Sequence, residues 1–292
     1  LLMTVTMSAQ VTTATMSGKV TAQDEPIIGA TIVAIHEPSG TRYGTVTNVS
    51  GQFNLQGMRT GGPYKVEISY VGYQTAIYKG INLLLGENYV LNVSLKESSE
   101  LLDEVVVTAS KESNMKSDRA GAIMNANRDM ISNTPTISRS ISDIMRLSPQ
   151  GADVGNGFAV GGGNYRQSFV TVDGAAFNNT FGLGGNLPAN GSPISLDALE
   201  QVTVAVTPFD VRQSGFTGGA INAVTRSGDN QFRGTAYMYF NNENLKGSKV
   251  DDYELLRSKA QYYTYGASFG GPIIKDKLFF FVNGEYEDNV TA

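Results

Sequence analysis

Residues 261–270 read QYYTYGASFG and residues 278–287 read LFFFVNGEYE. Successive side chains of an extended chain point to opposite faces. In the first stretch Tyr263, Tyr265, Ala267 and Phe269 therefore share one face, and Thr264, Gly266, Ser268 and Gly270 share the other. In the second, Leu278, Phe280, Val282 and Tyr286 oppose Asn283, Glu285 and Glu287. Alternation over ~10 residues fits a membrane-spanning β-strand, apolar side to lipid and polar side to a lumen. The tyrosines fit the aromatic belt at a membrane–water interface. A water-soluble antiparallel sheet with one wet face alternates identically, so the pattern alone leaves both readings open. Arg233–Phe240 reads as a preceding strand, Pro272–Lys277 as a short turn and Asn241–Lys259 as a longer loop. A sheet in lipid must close on itself. Three strands fall short of the ~8 that closure needs, so the expectation is the N-terminal portion of a longer protein.

Composition narrows the function classes. The 292 residues include no Cys, no Trp and one His, with 41% hydrophobic and 17% charged residues. Without Cys there are no disulfides or thiolate nucleophiles, and one His makes His-based metal sites and triads poor candidates. The net charge of -5 argues against nucleic acid. Its distribution is uneven: residues 1–96 carry 6 basic and 5 acidic side chains, 97–232 carry 9 and 14, and 233–292 carry 7 and 8. No apolar run reaches the ~18 residues of a spanning helix, which leaves barrel strands untouched.

Upstream of the alternating strands, residues 118–232 form a glycine-rich α/β region. Ile141, Ile144, Met145 and Leu147 give Ser138–Leu147 a helical period, which Pro149 and Gly151 stop. From Gly151 to Gly191 there are 11 Gly in 41 residues, read as loops around one strand, Ser168–Asp173. Asp197–Glu200 reads as a helical turn, Gln201–Val206 as an alternating strand, and 218–225 (GGAINAVT) as a tight turn into another strand. No G-x-x-x-x-G-K-[ST] or G-x-G-x-x-G is present, and the bare GGG at 161–163 reads as loop flexibility. Ser168 and Ser195 lack a G-x-S-x-G setting, so no nucleophile is assigned. Glu285 and Glu287 could imitate a glycosidase pair but read more simply as lumen-facing carboxylates. Asp251-Asp252 reads as a solvated pair rather than a cation site.

Residues 97–117 are a polar linker around one β-prone run, Val105-Val106-Val107-Thr108. A lone extended strand has unpaired backbone groups and suits addition to the sheet edge of another protein. Residues 14–96 hold short β-rich runs at Thr31–His36, Arg42–Thr47, Gln52–Leu55, Tyr64–Tyr70, Thr75–Tyr78 and Tyr89–Leu95. Their spacing of about 10 residues suits an antiparallel sandwich. Asn48-Val49-Ser50-Gly51 is a turn, and His36, with no ligand-type neighbour in sequence, reads as structural. Leu1–Ala9 reads as the end of a signal-peptide apolar region cleaved after Ala9, an ordinary first strand being the alternative.

Several of these stretches resemble known families. SGKV (17–20), PIIGATI (26–32), GTVTNVSGQFNL (44–55) and ISYVGYQT (68–75) resemble the carboxypeptidase-regulatory-like domain, an immunoglobulin-like module often found before outer-membrane transporters, with Asn48 where many relatives have Asp. The segment Asp103, Glu104, Val105, Val106, Val107, Thr108 and Ala109 resembles the TonB box of TonB-dependent receptors. FVTVDG (169–174), SLDALEQVTV (195–204) and GGAINAVTRSG (218–228) resemble their plug domain, and residues 208–228 resemble the Oar-like branch. One departure stands out. The usual Ile-Arg-Gly before the loop is Ala159-Val160-Gly161-Gly162-Gly163, and the nearest arginine is Arg166.

The resemblance implies a mainly β chain: an N-terminal segment or signal remnant (1–13), an immunoglobulin-like β-sandwich (14–96), a linker with the TonB box (97–117), an α/β plug domain (118–232) and the first strands of an incomplete transmembrane antiparallel β-barrel (233–292). It implies a receptor in the outer membrane, with its plug and N-terminal domain on the periplasmic side, importing a ligand with energy supplied by a TonB-type protein. Under that reading Pro272–Lys277 is periplasmic and Asn241–Lys259 extracellular. Outer-membrane lipid, an extracellular ligand and a surface lipoprotein or other outer-membrane proteins are the expected partners. No cofactor, metal, catalytic residue or nucleic-acid partner is expected. Loops on a rigid scaffold usually carry recognition, so Asn164, Tyr165, Arg166, Asn178, Asn179, Asn186 and Asn190 are the ligand-facing candidates. The competing readings are an outer-membrane adhesion or structural protein without transport, and a soluble carbohydrate-active enzyme with an accessory β-domain.

Overall fold

The computed structural model describes residues 12–98, 105–108, 123–136, 139–154, 157–177, 194–206, 218–245, 247, 249–250, 253–254 and 259–291. The chain divides into two units, Leu1–Arg226 and Ser227–Ala292.

The first unit begins with two facing sheets. One contains β1 (Ala14–Ala22), β2 (Glu25–Pro26), β5 (Gln52–Met58), β8 (Asn88–Val90) and β9 (Val93–Ser94), arranged around β1. The other contains β3 (Thr31–His36), β4 (Thr41–Val46), β6 (Gly61–Ser69), β7 (Ala76–Leu83) and β10 (Val105–Thr108), in the order β10-β7-β6-β3-β4. β-Branched and aromatic residues alternate with polar ones along these strands, and the apolar faces meet between the sheets. Met16, Val20, Phe53 and Leu55 from one sheet pack with Ile32, Tyr64, Val66, Ile68 and Ile81 from the other in a single buried cluster. Each such side chain contributes about 1.5–3 kcal/mol of transfer free energy.

Polar groups in this sandwich are satisfied locally. Asn48 Oδ1 accepts from the amides of Ser50 and Gln52, both at 2.9 Å, and Gly51 takes φ +72° to close the turn. His36 is buried, with Nδ1 2.6 Å from Ser39 Oγ and its ring 5.0 Å from that of Tyr64. That arrangement accords with a structural role. The Tyr64 hydroxyl donates to the Arg59 carbonyl at 2.7 Å. Burial, more than its neighbours, drives the Tyr64 phenol well above the ordinary tyrosine range, and burial also raises that of Tyr78.

A second core lies further along the same unit. Its mixed sheet runs β11-β16-β17-β14-β15, with β11 at Ile123–Ala126, β14 at Phe169–Val172, β15 at Ala175–Ala176, β16 at Leu199–Ala205 and β17 at Ala220–Thr225. Helices α1 (Arg128–Asn133) and α2 (Ile141–Met145) and the hairpin β12 (Gly151–Asp153) and β13 (Phe158–Val160) complete it. Ile131, Ile144, Met145, Phe158 and Val160 bury against Val170, Val202, Val204 and Ile221 of the sheet. The helical period over 138–147 is realised only as Ile141–Met145, and α1 is an addition to the sequence reading. The stretch expected to hold one strand among loops also contains β12, β13 and β15, because buried Phe158 and Val160 give the hairpin an apolar anchor despite the glycines.

The second unit is an antiparallel sheet of β18 (Arg233–Asn242), β21 (Ala260–Ile274) and β22 (Leu278–Thr291), plus the small hairpin β19 (Lys249–Val250) and β20 (Tyr253–Glu254). The expected turn at Pro272–Lys277 is shorter. β21 runs on to Ile274 through a register shift between Pro272 and Ile274, where proline's missing donor is tolerated. The remaining turn is held by Asn230, whose Nδ2 donates to Asp276 Oδ1 at 2.7 Å and whose Oδ1 accepts from the Asp276 amide at 2.9 Å. Among the described residues no helix is long and apolar enough to cross a membrane, which says nothing of strands.

Candidate functional sites

The run Val105–Thr108 is extended, as expected, but it is not alone. It pairs in parallel with β7, in the register Val105↔Ala76, Val106↔Ile77, Val107↔Tyr78 and Thr108↔Lys79. The expectation of a strand without a partner is corrected in that respect. β7 would otherwise be a bare sheet edge, and a short β-branched run nearby in sequence covers it. Asp103, Glu104 and Ala109 lie outside the described residues.

Of the ligand-facing candidates, Asn164, Tyr165 and Arg166 come together in one 3₁₀ turn, Tyr165–Gln167. Asn164 Oδ1 accepts from the Arg166 amide at 3.0 Å, and the Asn164 amide donates to Gln167 Oε1 at 2.9 Å. The Asn164 side chain is thus occupied in building the turn. Arg166 Nε donates to the Tyr165 hydroxyl at 3.0 Å, which leaves an exposed cation beside an aromatic ring. Asn178, Asn179, Asn186 and Asn190 lie outside the described residues, as do Asp251 and Asp252.

After Phe169–Val172, Asp173 (φ +49°) and Gly174 (φ +80°) form a two-residue turn into β15. Only a residue tolerant of the left-handed region serves at each position, which Asp-Gly supplies. The Asp173 carboxylate then reaches β17. It accepts from the Thr225 amide at 2.9 Å and from the Thr225 hydroxyl at 2.6 Å. At the same end of β17, Arg128 Nη2 lies 2.8 Å from Asp197 Oδ1 and Nη1 donates to the carbonyls of Asp197 and Leu199. Arg226 donates to the Asp197 carbonyl at 3.2 Å. These two arginines tie the turn before β16 to α1 and to the end of β17.

One feature was absent from the sequence reading. Asn125, Thr203, Asn222 and Thr171 stand directly opposite one another on β11, β16, β17 and β14, and so share one face of the sheet. Thr203 Oγ1 donates to Asn125 Oδ1 and Thr171 Oγ1 to Asn222 Oδ1, each at 2.6 Å. Thr171, Thr203, Asn222 and neighbouring Gln201 are buried. The alternation of Gln201 and Thr203 with valines was the available signal. The fold buries that face and pairs Thr203 with Asn125 and Thr171 with Asn222 across strands.

In the second unit the strand register confirms the two faces. Met238↔Tyr265↔Tyr286 and Gly234↔Phe269↔Val282 run across one side, with Met238, Phe269, Val282 and Tyr286 exposed. Aromatic contacts cluster towards the two ends of that side: Phe240 with Tyr263 at 4.8 Å, and Phe232 stacked on Phe269 at 5.9 Å. From Tyr263 to Ile273, ten steps of ~3.3 Å tilted by ~40° rise about 25 Å, the height of an outer-membrane apolar band. On the opposite side Thr235 and Ser268 hydroxyls meet at 2.6 Å, and Tyr237 donates to Glu285.

Comparison with known proteins bears on these sites. Residues 15–96 match the model of the carboxypeptidase regulatory-like domain, and residues 224–292 match that of an outer membrane beta barrel domain. The TonB-dependent transporter Oar of Myxococcus xanthus is 31% identical over 49% of this chain and 14% of its own length. The TonB-dependent receptor SusC of Bacteroides thetaiotaomicron is 29% identical over 87% of this chain and 24% of its own length. The chain is similar to TonB-dependent outer-membrane receptors. It spans about a seventh to a quarter of the length of these curated relatives. Among solved structures, the siderophore receptor PirA from Acinetobacter baumannii aligns over 57% of this chain and 24% of its own at a TM-score of 0.45 and 20% identity, a likeness too slight to carry inference. The barrel-domain match and the amphipathic strands together place the chain in the outer membrane. Its relatives among TonB-dependent receptors are named as transporters and receptors rather than as enzymes.

Proposed function

We propose that this chain is part of a TonB-dependent receptor that imports a ligand across the outer membrane through a plugged β-barrel. The observation that carries the proposal is the order along one chain. A carboxypeptidase regulatory-like sandwich is followed by the β-prone run 105–108, then by an α/β core, then by strands with an apolar and a polar face. In this reading residues 118–232 are the plug, 103–109 are gripped by the energising TonB-type protein, and 233–292 begin the barrel. Ligand bound outside favours one plug state over another, which requires a different affinity for each. Exposed Arg166 and half-buried Tyr165, in the turn capped by Asn164, are the described part of the ligand-facing surface, which acts by binding, without covalent chemistry.

Deleting residues 103–109 from the full-length gene tests the proposal. Energised uptake is expected to fall to background while the protein still reaches the outer membrane. Normal uptake by the deletion strain overturns the transport reading and favours an adhesion or structural role.

A further inference from the structure

The parallel pairing of β10 with β7 goes beyond that function. We infer that the sandwich module holds the 105–108 strand in a resting position, and that the energising partner acts only after the strand leaves β7. The inference rests on the reading of 103–109 as the gripped segment and adds its regulation.

Three observations support it. β7 pairs with β6 along one side and with β10 along the other, so without β10 it would end the sheet. A sheet edge of that kind captures extended segments by main-chain hydrogen bonds, the same chemistry by which a partner would take this strand. Among the described residues the pairing runs over four positions in register, a hold of a few main-chain hydrogen bonds that can exchange. Force supplies the mechanical argument. A pull on a strand still laddered to β7 is borne by the sandwich sheet. It reaches the residues beyond 109 only once the ladder has parted. The held and released strands are thus two states. If released strand makes up ~1–10% of the population, the partner's apparent affinity is lowered ~10- to 100-fold.

These 292 residues contain no cysteine, so within them a pair of introduced cysteines can form only one disulfide, and any cysteine elsewhere in the full-length receptor is replaced by serine. Thr108 and Lys79 stand opposite one another, and Lys79 is exposed. Neighbouring strands lie ~4.8 Å apart, within the ~4.4–6.8 Å that a disulfide spans between α-carbons. The experiment uses full-length receptor carrying Lys79→Cys and Thr108→Cys, with Ala76→Cys and Val105→Cys as a second pair guarding against a local effect of either change. Binding of the purified periplasmic domain of the TonB-type protein is measured in the oxidised and reduced forms. Oxidation is expected to weaken binding at least tenfold, and reduction to restore it. Failure of both pairs to cross-link, or equal binding by fully locked and unlocked receptor, overturns the holder. If neither the unaltered nor the reduced receptor binds the domain at all, it is the gripped-strand reading that falls.

Discussion

Asp173 and Thr225, 52 residues apart, are joined twice: one carboxylate oxygen takes the threonine amide at 2.9 Å and the other takes its hydroxyl at 2.6 Å. The clamp locks the Asp-Gly turn onto the end of the parallel neighbour strand. Both bonds reach solvent, so their joint contribution is about 1–2 kcal/mol. Asp173→Ala is expected to cost that much plus the small loss of aspartate's better tolerance of φ +49°. Asp173→Asn keeps an acceptor and tolerates the conformation, and costs less. Asp173→Val, bulky and β-branched, costs most. Urea unfolding of the full-length protein, followed by protease sensitivity between residues 118 and 232, ranks the three.

The buried row across the same sheet makes a sharper forecast. Thr171→Val removes the donor to Asn222 Oδ1 and leaves a buried acceptor short of a partner, at about 1–3 kcal/mol. Thr171→Val with Asn222→Leu removes both groups and is expected to cost less than the sum of the single changes. A double-mutant cycle on unfolding free energy reads the coupling. Additivity would show that the two side chains do not interact.

Gly266 sits beneath the ring of Tyr237, which crosses it to reach Glu285 on the next strand. A methyl group at 266 would overlap that ring. Gly266→Ala is expected to destabilise the barrel sheet by about 1–3 kcal/mol through overpacking. Adding Tyr237→Ser should recover part of the loss. Heat-modifiable gel migration of the full-length protein reports the folded fraction, and a Gly266→Ala protein that folds normally would contradict the placement of the ring.

The two faces of that sheet predict opposite tolerance. Phe269→Lys places a charge on the apolar side and is expected to cost about 2–4 kcal/mol if it lies near mid-membrane. Thr264→Lys, on the polar side, is expected to fold and insert nearly as well as the parent. Equal loss for both would mean that neither face meets lipid.

The sandwich should weaken in alkali. The Tyr64 phenol is raised by burial, so below pH ~10 both folded and unfolded forms are neutral and the stability is intact. Above pH ~10 the unfolded chain ionises while the folded phenol stays protonated, and stability falls with pH. Tyr64→Phe loses the 2.7 Å bond to the Arg59 carbonyl, at about 1 kcal/mol near neutrality, and flattens the alkaline decline. Thermal unfolding from pH 7 to 11 distinguishes the two proteins.

Much of the architecture was legible in the residues alone. The alternation in QYYTYGASFG and LFFFVNGEYE assigned the faces of β21 and β22, and the register between the strands agrees with it. The turn at Asn48–Gly51, the structural place of His36 and the strand Val105–Thr108 were likewise written locally, because each depends on backbone preference within a few residues. Three features needed the tertiary structure. The pairing of Val106 with Ile77, the reach of Asp173 to Thr225, and the polar row from Asn125 to Thr171 all join residues dozens of positions apart. A strand carries its own periodicity but no record of which edge it will meet. That choice is made by the hydrogen-bonding groups and apolar faces that the rest of the fold leaves to be covered.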